Sequence, residues 1–285
     1  TVAQLVDAAE HLGNWSPDVP DWFDWSTGLF HSWHFGADGP GEPTANIADH
    51  LRCVNIALLA HDMTGRARYL DLADRHGRLW AEPLAEGRIP AILAVDGPKF
   101  DLTGDDLGDY RAFAGQAPRL SRRVNRAENL LASGGVQAML SLAERTGDAL
   151  YGRAACELTA AVAGELHDPD AAAAADAVRR YRDATGDTRF DAAVTAAAAD
   201  MPAEQVRELA IDPDPPMPDR SRADGIGKRA DMPRWTEDGR PRRCCAVTCL
   251  LASEIAGDAP RAAAAVDLAR AQFVLARRVY PDGRN

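Results

Sequence analysis

A short turn signal recurs along the chain and constrains the fold more than any other feature. Between Asn125 and Leu166, apolar residues at helical spacing are interrupted by Thr146, Gly147 and Asp148 and then resume with the same period. Gly147 suits the left-handed position that ends a helix, and the Asp148 carboxylate suits the start of the next helix. The stretch therefore predicts an inner and an outer helix joined by a tight turn.

The same turn occurs elsewhere, which indicates a chain built from repeated helical hairpins. The turn glycines are Gly65, Gly147, Gly186 and Gly257. Four positions after the glycine, three copies have an aromatic residue and the fourth has arginine, namely Tyr69, Tyr151, Phe190 and Arg261. We expect the aromatic side chains to fill the space between paired helices. The interval of 39 residues from Gly147 to Gly186 sets a unit of about 40 residues.

Composition supports one large all-α domain over residues 1–285. The chain has 285 residues, 46% of them hydrophobic, and alanine is abundant while β-branched runs are few. Its net charge of −11 argues against binding to nucleic acid or an anionic membrane surface. No apolar run is long enough for a membrane-spanning helix. No signal peptide is recognisable, so localisation and oligomeric state stay open.

Two stretches lack helical periodicity, and we interpret them as insertions at about 83–118 and 211–243. In the first, residues Ile89 to Val95 have the composition of an extended segment. The second contains six prolines and eight of the 32 basic residues. Long irregular loops within a compact domain often carry function.

The segment Asn14 to Asn46 holds four of the six tryptophans. These rings are either core residues or the walls of a cleft that stacks on sugar rings, and the sequence leaves both interpretations open. His31 and His34 have a metal-ligand spacing on a helix but no obvious third partner. Asp105, Asp106 and Asp109 spell the DDxxD metal motif of class I terpene synthases without its second motif. We therefore expect no metal and no cofactor.

Stacked hairpins place their tight turns at one end and the connections between hairpins at the other. We call the second end the rim, formed by the segments that lead into Ile47, Arg126 and Cys244. Arginines are concentrated there, in the second insertion and in the stretch that leads to Arg126. Because arginine recognises carboxylates, the rim predicts an anionic ligand, unless the loop arginines pair with the loop's own acidic residues.

The segment DWFDWSTGLF, Asp21 to Phe30, followed by the first hairpin, resembles the unsaturated-glucuronyl hydrolases. The whole set of hairpins resembles the (α/α) toroid polysaccharide lyases equally well. This resemblance implies an (α/α) toroid of helical hairpins that acts on carbohydrate. A complete ring of six hairpins usually needs a longer chain, so an incomplete ring is also compatible with the sequence.

The rim supplies residues for two chemistries. For β-elimination beside a uronate, the carboxylate must be neutralised and a base must reach the C5 proton, for which the candidates are His31, His34, His50 and Tyr110. For hydrolysis, two carboxyl groups must flank the bond, and the candidates are Asp21, Asp24, Asp49 and Glu128. Trp22 and Trp25 flank Asp24, and their desolvating rings predict a raised pKa for its carboxyl group. Substrate-binding candidates are Trp22, Trp25, Trp33, Arg126, Asn129, Lys228, Trp235 and Arg243.

Because the rim is rich in arginine and poor in glutamate, we favour an acidic-polysaccharide lyase over a hydrolase. A helical-repeat scaffold that binds a protein partner is the third hypothesis. Long aromatic insertions between the repeats count against it.

Overall fold

The structure is a computed structural model of the chain, and it describes residues 1–12, 22–31, 45–102, 123–166, 172–199, 236–237, 240–241 and 246–279. Most of these residues are helical, and the strands are short. The predicted all-α class is therefore confirmed. A toroidal arrangement of the hairpins stays a prediction.

Ten α-helices lie within the described residues. They are α1 (Val2–Glu10), α2 (Leu51–Thr64), α3 (Ala67–Ala85), α4 (Arg123–Ala132), α5 (Gly135–Thr146), α6 (Ala149–Ala163), α7 (Ala172–Thr185), α8 (Asp191–Ala198), α9 (Ala246–Ala256) and α10 (Ala259–Val279). A 3₁₀ turn, Ala48–His50, precedes α2. The strands are β1 (Phe23–Asp24), β2 (Leu29–Phe30), β3 (Ala45–Asn46), β4 (Ile92–Ala94), β5 (Gly97–Lys99), β6 (Thr236–Glu237) and β7 (Arg240–Pro241).

Contacts divide the chain into two compact units. The first comprises Thr1–Val162 and Arg180–Gly186, and the second comprises Ala163–Arg179 and Asp187–Asn285. In the first unit, α2 packs on α3 and on α5. In the second unit, α9 packs on both α8 and α10.

The predicted turns are present in all four hairpins. Their glycines adopt left-handed φ values, namely 67° at Gly65, 71° at Gly147, 69° at Gly186 and 68° at Gly257. In three hairpins the preceding threonine donates its hydroxyl to the carbonyl four residues back, over 2.6 to 2.7 Å. The threonine thus donates a hydrogen bond to a free carbonyl at the helix end, and the left-handed glycine reverses the direction of the chain. Together these two roles explain the recurrent Thr-Gly pair.

In the first unit, the aromatic side chains that follow the turns are buried, as expected. Tyr69 and Tyr151 are both fully buried. The Tyr151 hydroxyl donates to Asp74 Oδ1 over 2.7 Å, which ties α6 to α3. Burial and this acceptor raise the pKa of Tyr151. Phe190 and Arg261 are only half-buried.

The two hairpins of the first unit run in the same direction. Near the start of α2 and α5, Asn55 Nδ2 donates to the carbonyl of Gly134 over 3.2 Å. Near their ends, Arg145 Nε donates to Asp62 Oδ1 over 2.7 Å. Because both ends of the two helices meet in register, α2 and α5 are parallel. Their Thr-Gly turns therefore lie at one end and the segments that lead into them at the other.

The inner helix of the second hairpin is not continuous, contrary to the sequence prediction. Helical geometry ends at Ala132 and restarts at Gly135. Gly134 has φ of 77°, and a Cβ there would lie 2.7 Å from Asn55 Nδ2. The apolar spacing predicted one helix because the break spans only two residues and α4 and α5 both bury apolar side chains.

The first predicted insertion begins later than expected. Helix α3 continues through Pro83 to Ala85, and only its last two residues lie beyond the proline. The predicted extended segment is confirmed as β4, which forms an antiparallel hairpin with β5 and pairs on its other side with β3. The rest of this predicted insertion, residues 103–118, lies outside the described residues.

A buried asparagine connects the two small sheets near the chain start. Asn46 Oδ1 accepts from the Phe30 N–H over 2.8 Å, and its Nδ2 donates to the Phe30 carbonyl over 3.0 Å. The side chain thus pairs with β2 as a neighbouring strand would, while the Asn46 backbone pairs with Leu93 of β4. Among the described helices, none is both long and apolar enough to span a lipid bilayer.

Gly135 tests the close packing at the start of α5. A Cβ at this position would lie 2.8 Å from the Leu130 carbonyl oxygen, which is backbone and cannot move aside. We expect Gly135→Ala to lower the free energy of unfolding by about 1–3 kcal/mol. Urea unfolding followed by circular dichroism measures the change.

Gly152 provides the matched control because it is also a helical glycine, and a Cβ added there would have no other atom within 4 Å. Gly152→Ala should raise stability by about 0.5–1 kcal/mol through helix propensity alone. Equal effects of the two substitutions would contradict the predicted clash at Gly135.

Candidate functional site

His50, a predicted catalytic base, is a core residue. It is fully buried, and its ring stacks on Phe30 at a centroid distance of 5.3 Å. Its Nδ1 accepts from the N–H of Ile47 over 3.1 Å. A catalytic base must reach the substrate, so the full burial of His50 argues against that role.

A second buried histidine, His76 on α3, was not found from the sequence. Trp80 Nε1 donates to His76 Nε2 over 3.2 Å, which requires the proton on Nδ1. Nδ1 then donates to the Gly28 carbonyl over 2.9 Å. Burial and the neighbouring His50 lower the pKa of His76 to about 3. His76 is therefore neutral and fastens the β1–β2 turn to α3.

The expectation of a raised pKa at Asp24 is wrong. Ser26 donates its N–H and its hydroxyl to Asp24 Oδ1, over 2.8 and 2.6 Å, and Thr27 Oγ1 donates to Oδ2 over 2.9 Å. These donors stabilise the charged form and lower the pKa of Asp24 to about 2, although burial opposes them. A carboxylate that stays ionised does not suit a general acid, and here it shapes the turn.

Asp49, in the 3₁₀ turn before α2, is in contact with the end of α4. Asp49 Oδ1 accepts from Ser133 Oγ over 3.0 Å and from Arg52 Nε over 3.2 Å. Arg52 also donates to the carbonyl of Ala132, the last residue of α4, over 3.1 Å. The 3₁₀ turn and α4 are thus held together by side chains, and Asp49 serves as an anchor whose side chain remains 57% exposed.

The predicted site residues on α4 are partly or largely buried. The Arg126 side chain is only 10% exposed, and its Nη1 lies 3.7 Å from Asp101 Oδ1. That separation is an ion pair without a hydrogen bond. Glu128 and Asn129 are half-buried on the same helix. His31, Trp22 and Trp25 are half-buried in the segment around the β1–β2 hairpin.

Seven candidates lie outside the described residues: Asp21, Trp33, His34, Tyr110, Lys228, Trp235 and Arg243. Within the described part, no group of three or more histidine, cysteine or acidic side chains is arranged to hold a metal ion. Cys53 and Cys249 are buried thiols, and burial raises the pKa of Cys53.

An open cavity of about 640 Å³ lies between the β1–β2 turn and the outer surface of α3. Its walls are Trp25, Ser26, Thr27, Gly28, Asp71, Asp74, Arg75, Arg78, Leu79 and Glu82. Arg75 Nη1 donates to the Trp25 carbonyl over 3.0 Å, and its guanidinium lies 5.8 Å from the centre of the Trp25 ring. The turn and the helix are therefore connected directly at the cavity.

The charges of the cavity fall into two groups. Arg78 pairs with Asp74 at 3.4 Å and with Asp148 at 2.9 Å, so these charges compensate one another. Asp71 and Glu82 are exposed at opposite ends of the helix face. Neither carboxylate forms an ion pair with another described residue.

This charged face of α3 was not identified from the sequence as part of a cavity. Asp71, Arg75, Arg78 and Glu82 recur every three or four residues, the spacing of one helical face. A tryptophan-rich turn that precedes the hairpin was the signal that this face is partly covered. Which of the tryptophans covers it depends on the His76 contact, which no local pattern reveals.

The geometry defines a helical-hairpin protein with a candidate rim and a separate cavity on an outer helix. Comparison of the chain with protein-family models, with curated proteins and with solved structures finds no match.

The His76 cluster predicts a pH-dependent stability. Because the pKa of His76 falls from 6.5 to about 3 on folding, its contribution is complete above about pH 6.5 and is lost as the pH decreases towards 3. We expect the free energy of unfolding to fall by about 1.4 kcal/mol per pH unit between about pH 6 and 4.5, where most carboxyl groups are still charged. Urea titrations across this range measure the slope.

His76→Gln should be less stable at neutral pH but show a shallower slope. His11→Gln is the control because the His11 side chain is 51% exposed on α1. An unchanged slope in His76→Gln would refute the role of His76.

Proposed function

We propose that the protein cleaves an acidic, uronate-containing oligo- or polysaccharide by β-elimination at the rim. The observation that supports this proposal is the parallel packing of α2 and α5. It brings the 3₁₀ turn and α4 to the same end of the hairpin array, away from the Thr-Gly turns. Residues that are far apart in sequence, Asp49 and Arg126 among them, thereby share one end of the first unit.

Arg126 is the residue best suited to neutralise a uronate carboxylate. Its guanidinium is largely buried, and burial strengthens charge-assisted hydrogen bonds. Asn129, one helical turn further along α4, offers an amide for a neighbouring hydroxyl. The Asp101 side chain, which is 76% exposed, provides a counter-charge that a substrate carboxylate replaces.

In the proposed reaction, a base removes the proton at C5 of the uronate. The electron pair of that C–H bond forms the C4–C5 double bond, the bond from C4 to the glycosidic oxygen breaks, and the departing oxygen takes a proton. Neutralising the carboxylate makes the C5 proton more acidic. His31 is the candidate base among the described residues, since His50 is buried. His34 and Tyr110 stay predictions.

We further propose that the hairpins continue into a full or incomplete (α/α) toroid. Two consecutive hairpins that pack with their inner helices parallel are the local arrangement that such a ring repeats. The resemblance of Asp21 to Phe30 and the first hairpin to unsaturated-glucuronyl hydrolases supports the same architecture. Function inferred from architecture alone is an analogy, so the proposed function is argued from the rim residues.

Hydrolysis is the second candidate. The 3₁₀ turn and α4 contact each other, and each element contains a carboxylate, Asp49 in the turn and Glu128 in the helix. Paired carboxyl groups on opposite sides of a glycosidic bond are the requirement for hydrolysis. Asp49 is already engaged by Arg52 and Ser133, which is why we place elimination first.

The test is incubation of the protein with a panel of uronate-containing polysaccharides such as polygalacturonate, alginate and heparan sulfate. Elimination produces an unsaturated uronate that absorbs in the ultraviolet, whereas hydrolysis releases reducing ends without that absorbance. A scaffold would do neither. Absence of both cleavage and binding across the panel would refute the carbohydrate proposal.

Arg126→Ala should lower kcat/KM on an acidic substrate by about 100-fold, because a largely buried charged donor is lost. Arg126→Lys should recover little, because lysine lacks the bidentate donor geometry. Arg153→Ala, at an exposed position on α6, is the control and should retain wild-type activity. Equal losses for the two alanine variants would assign the effect to overall charge.

A further inference from the structure

None of the residues proposed to act in cleavage lines the cavity beside α3, although His31 directly follows β2 and Trp25, a predicted substrate-binding residue, forms one of its walls. The cavity is built from the outer face of α3 and the β1–β2 turn, whereas Arg126, Glu128 and Asn129 lie on α4. We infer that this cavity is a second binding site, for a saccharide chain that carries no negative charge.

The shape of the cavity favours an extended ligand. Asp71 and Glu82 are eleven residues apart on one helix, which corresponds to about 16 Å along its axis. Trp25 and Leu79 line the space together with the charged residues. The cavity thus joins an aromatic surface to carboxylates spread along the helix, an arrangement that matches the apolar faces and hydroxyl edges of linked sugar rings.

The charge distribution decides which saccharides fit. The lining has three carboxylates and two guanidinium groups. Both guanidinium groups already have partners, Arg75 at the Trp25 carbonyl and Arg78 at Asp74 and Asp148. Asp24, hydrogen-bonded by Ser26 and Thr27 of the lining, adds another negative charge. An acidic chain would be repelled, whereas hydroxyl or ammonium donors satisfy Asp71 and Glu82.

The turn is already held in place for binding. The Gly28 carbonyl accepts from His76, and Arg75 fastens the Trp25 carbonyl. Phe23 packs edge-on against the Trp25 ring at 5.0 Å. These contacts fix the indole before a ligand arrives, so little ordering is required on binding.

The full chain is titrated by calorimetry with maltose-, cellulose- and xylan-derived oligomers, with glucosamine oligomers, and with galacturonate oligomers of the same length. We expect at least one uncharged or amino-sugar oligomer to bind. Trp25→Ala should weaken that binding about tenfold, through loss of the apolar surface it covers. Asp71→Asn and Glu82→Gln should each weaken it about threefold or more.

Glu144→Gln is the matched control, because the Glu144 side chain is 80% exposed on α5 and outside the cavity. The exposed carboxylate variants are not expected to perturb folding, so they keep the test valid if Trp25→Ala unfolds. The inference is overturned if no uncharged or amino-sugar oligomer binds, or if binding is insensitive to all three cavity variants. It is also overturned if galacturonate oligomers bind and depend on Trp25 and Glu82.

The rim proposal fails separately. Arg126→Ala should leave binding of the uncharged oligomer unchanged while it impairs cleavage of the acidic substrate. Loss of both properties in this variant would mean that the cavity and the rim are one site.

Discussion

The parallel packing of α2 against α5 is the constraint on which the first unit depends. At one end the Asp62 carboxylate receives two donors from Arg145, and at the other Asn55 bonds the backbone at Gly134. The Arg145 side chain is 20% exposed, so the pair is less screened than a surface ion pair. Hydrogen bonding to Arg145 lowers the pKa of Asp62, so this contribution is present at neutral pH and decreases in acid. Because both ends of α2 and α5 are joined, the segments that lead into these two helices lie at the same end of the first unit.

A second constraint comes from the aromatic residues of the early segment. Phe23 and Phe30 are core residues, and Phe30 packs against both His50 and His76. Trp22 and Trp25 stay half-exposed. The core interpretation therefore holds for the two phenylalanines, whereas stacking of the tryptophans on sugar rings stays a prediction. The buried rings and His76 hold the turn, and the turn presents Trp25 towards the cavity.

Much of the fold could be predicted because its signals are local. Thr146, Gly147 and Asp148 are adjacent, and their turn depends on backbone conformation and short-range hydrogen bonds. The break at Gly134 was missed because the apolar spacing continues across it, and the Asn55 side chain that bonds to Gly134 lies on another helix. The low pKa of Asp24 was missed because the flanking tryptophans suggested desolvation, whereas Ser26 and Thr27 donate hydrogen bonds to its carboxylate. The buried state of His50 depends on Phe30, a residue distant in sequence that the Asn46 side chain bonds through its backbone.

The break between α4 and α5 has a consequence for how the rim can change over time. Since α4 is a separate helix, its position depends on the contacts of Asp49, Arg52 and Ser133 as well as on its packing against α5. Substitutions in these three residues can therefore re-aim Arg126 and its neighbours while the Asp62 and Arg145 pair preserves the scaffold. Stability and specificity therefore depend on different residues in this unit. Laboratory evolution can vary the small set that positions α4 without changing the pair that stabilises the scaffold.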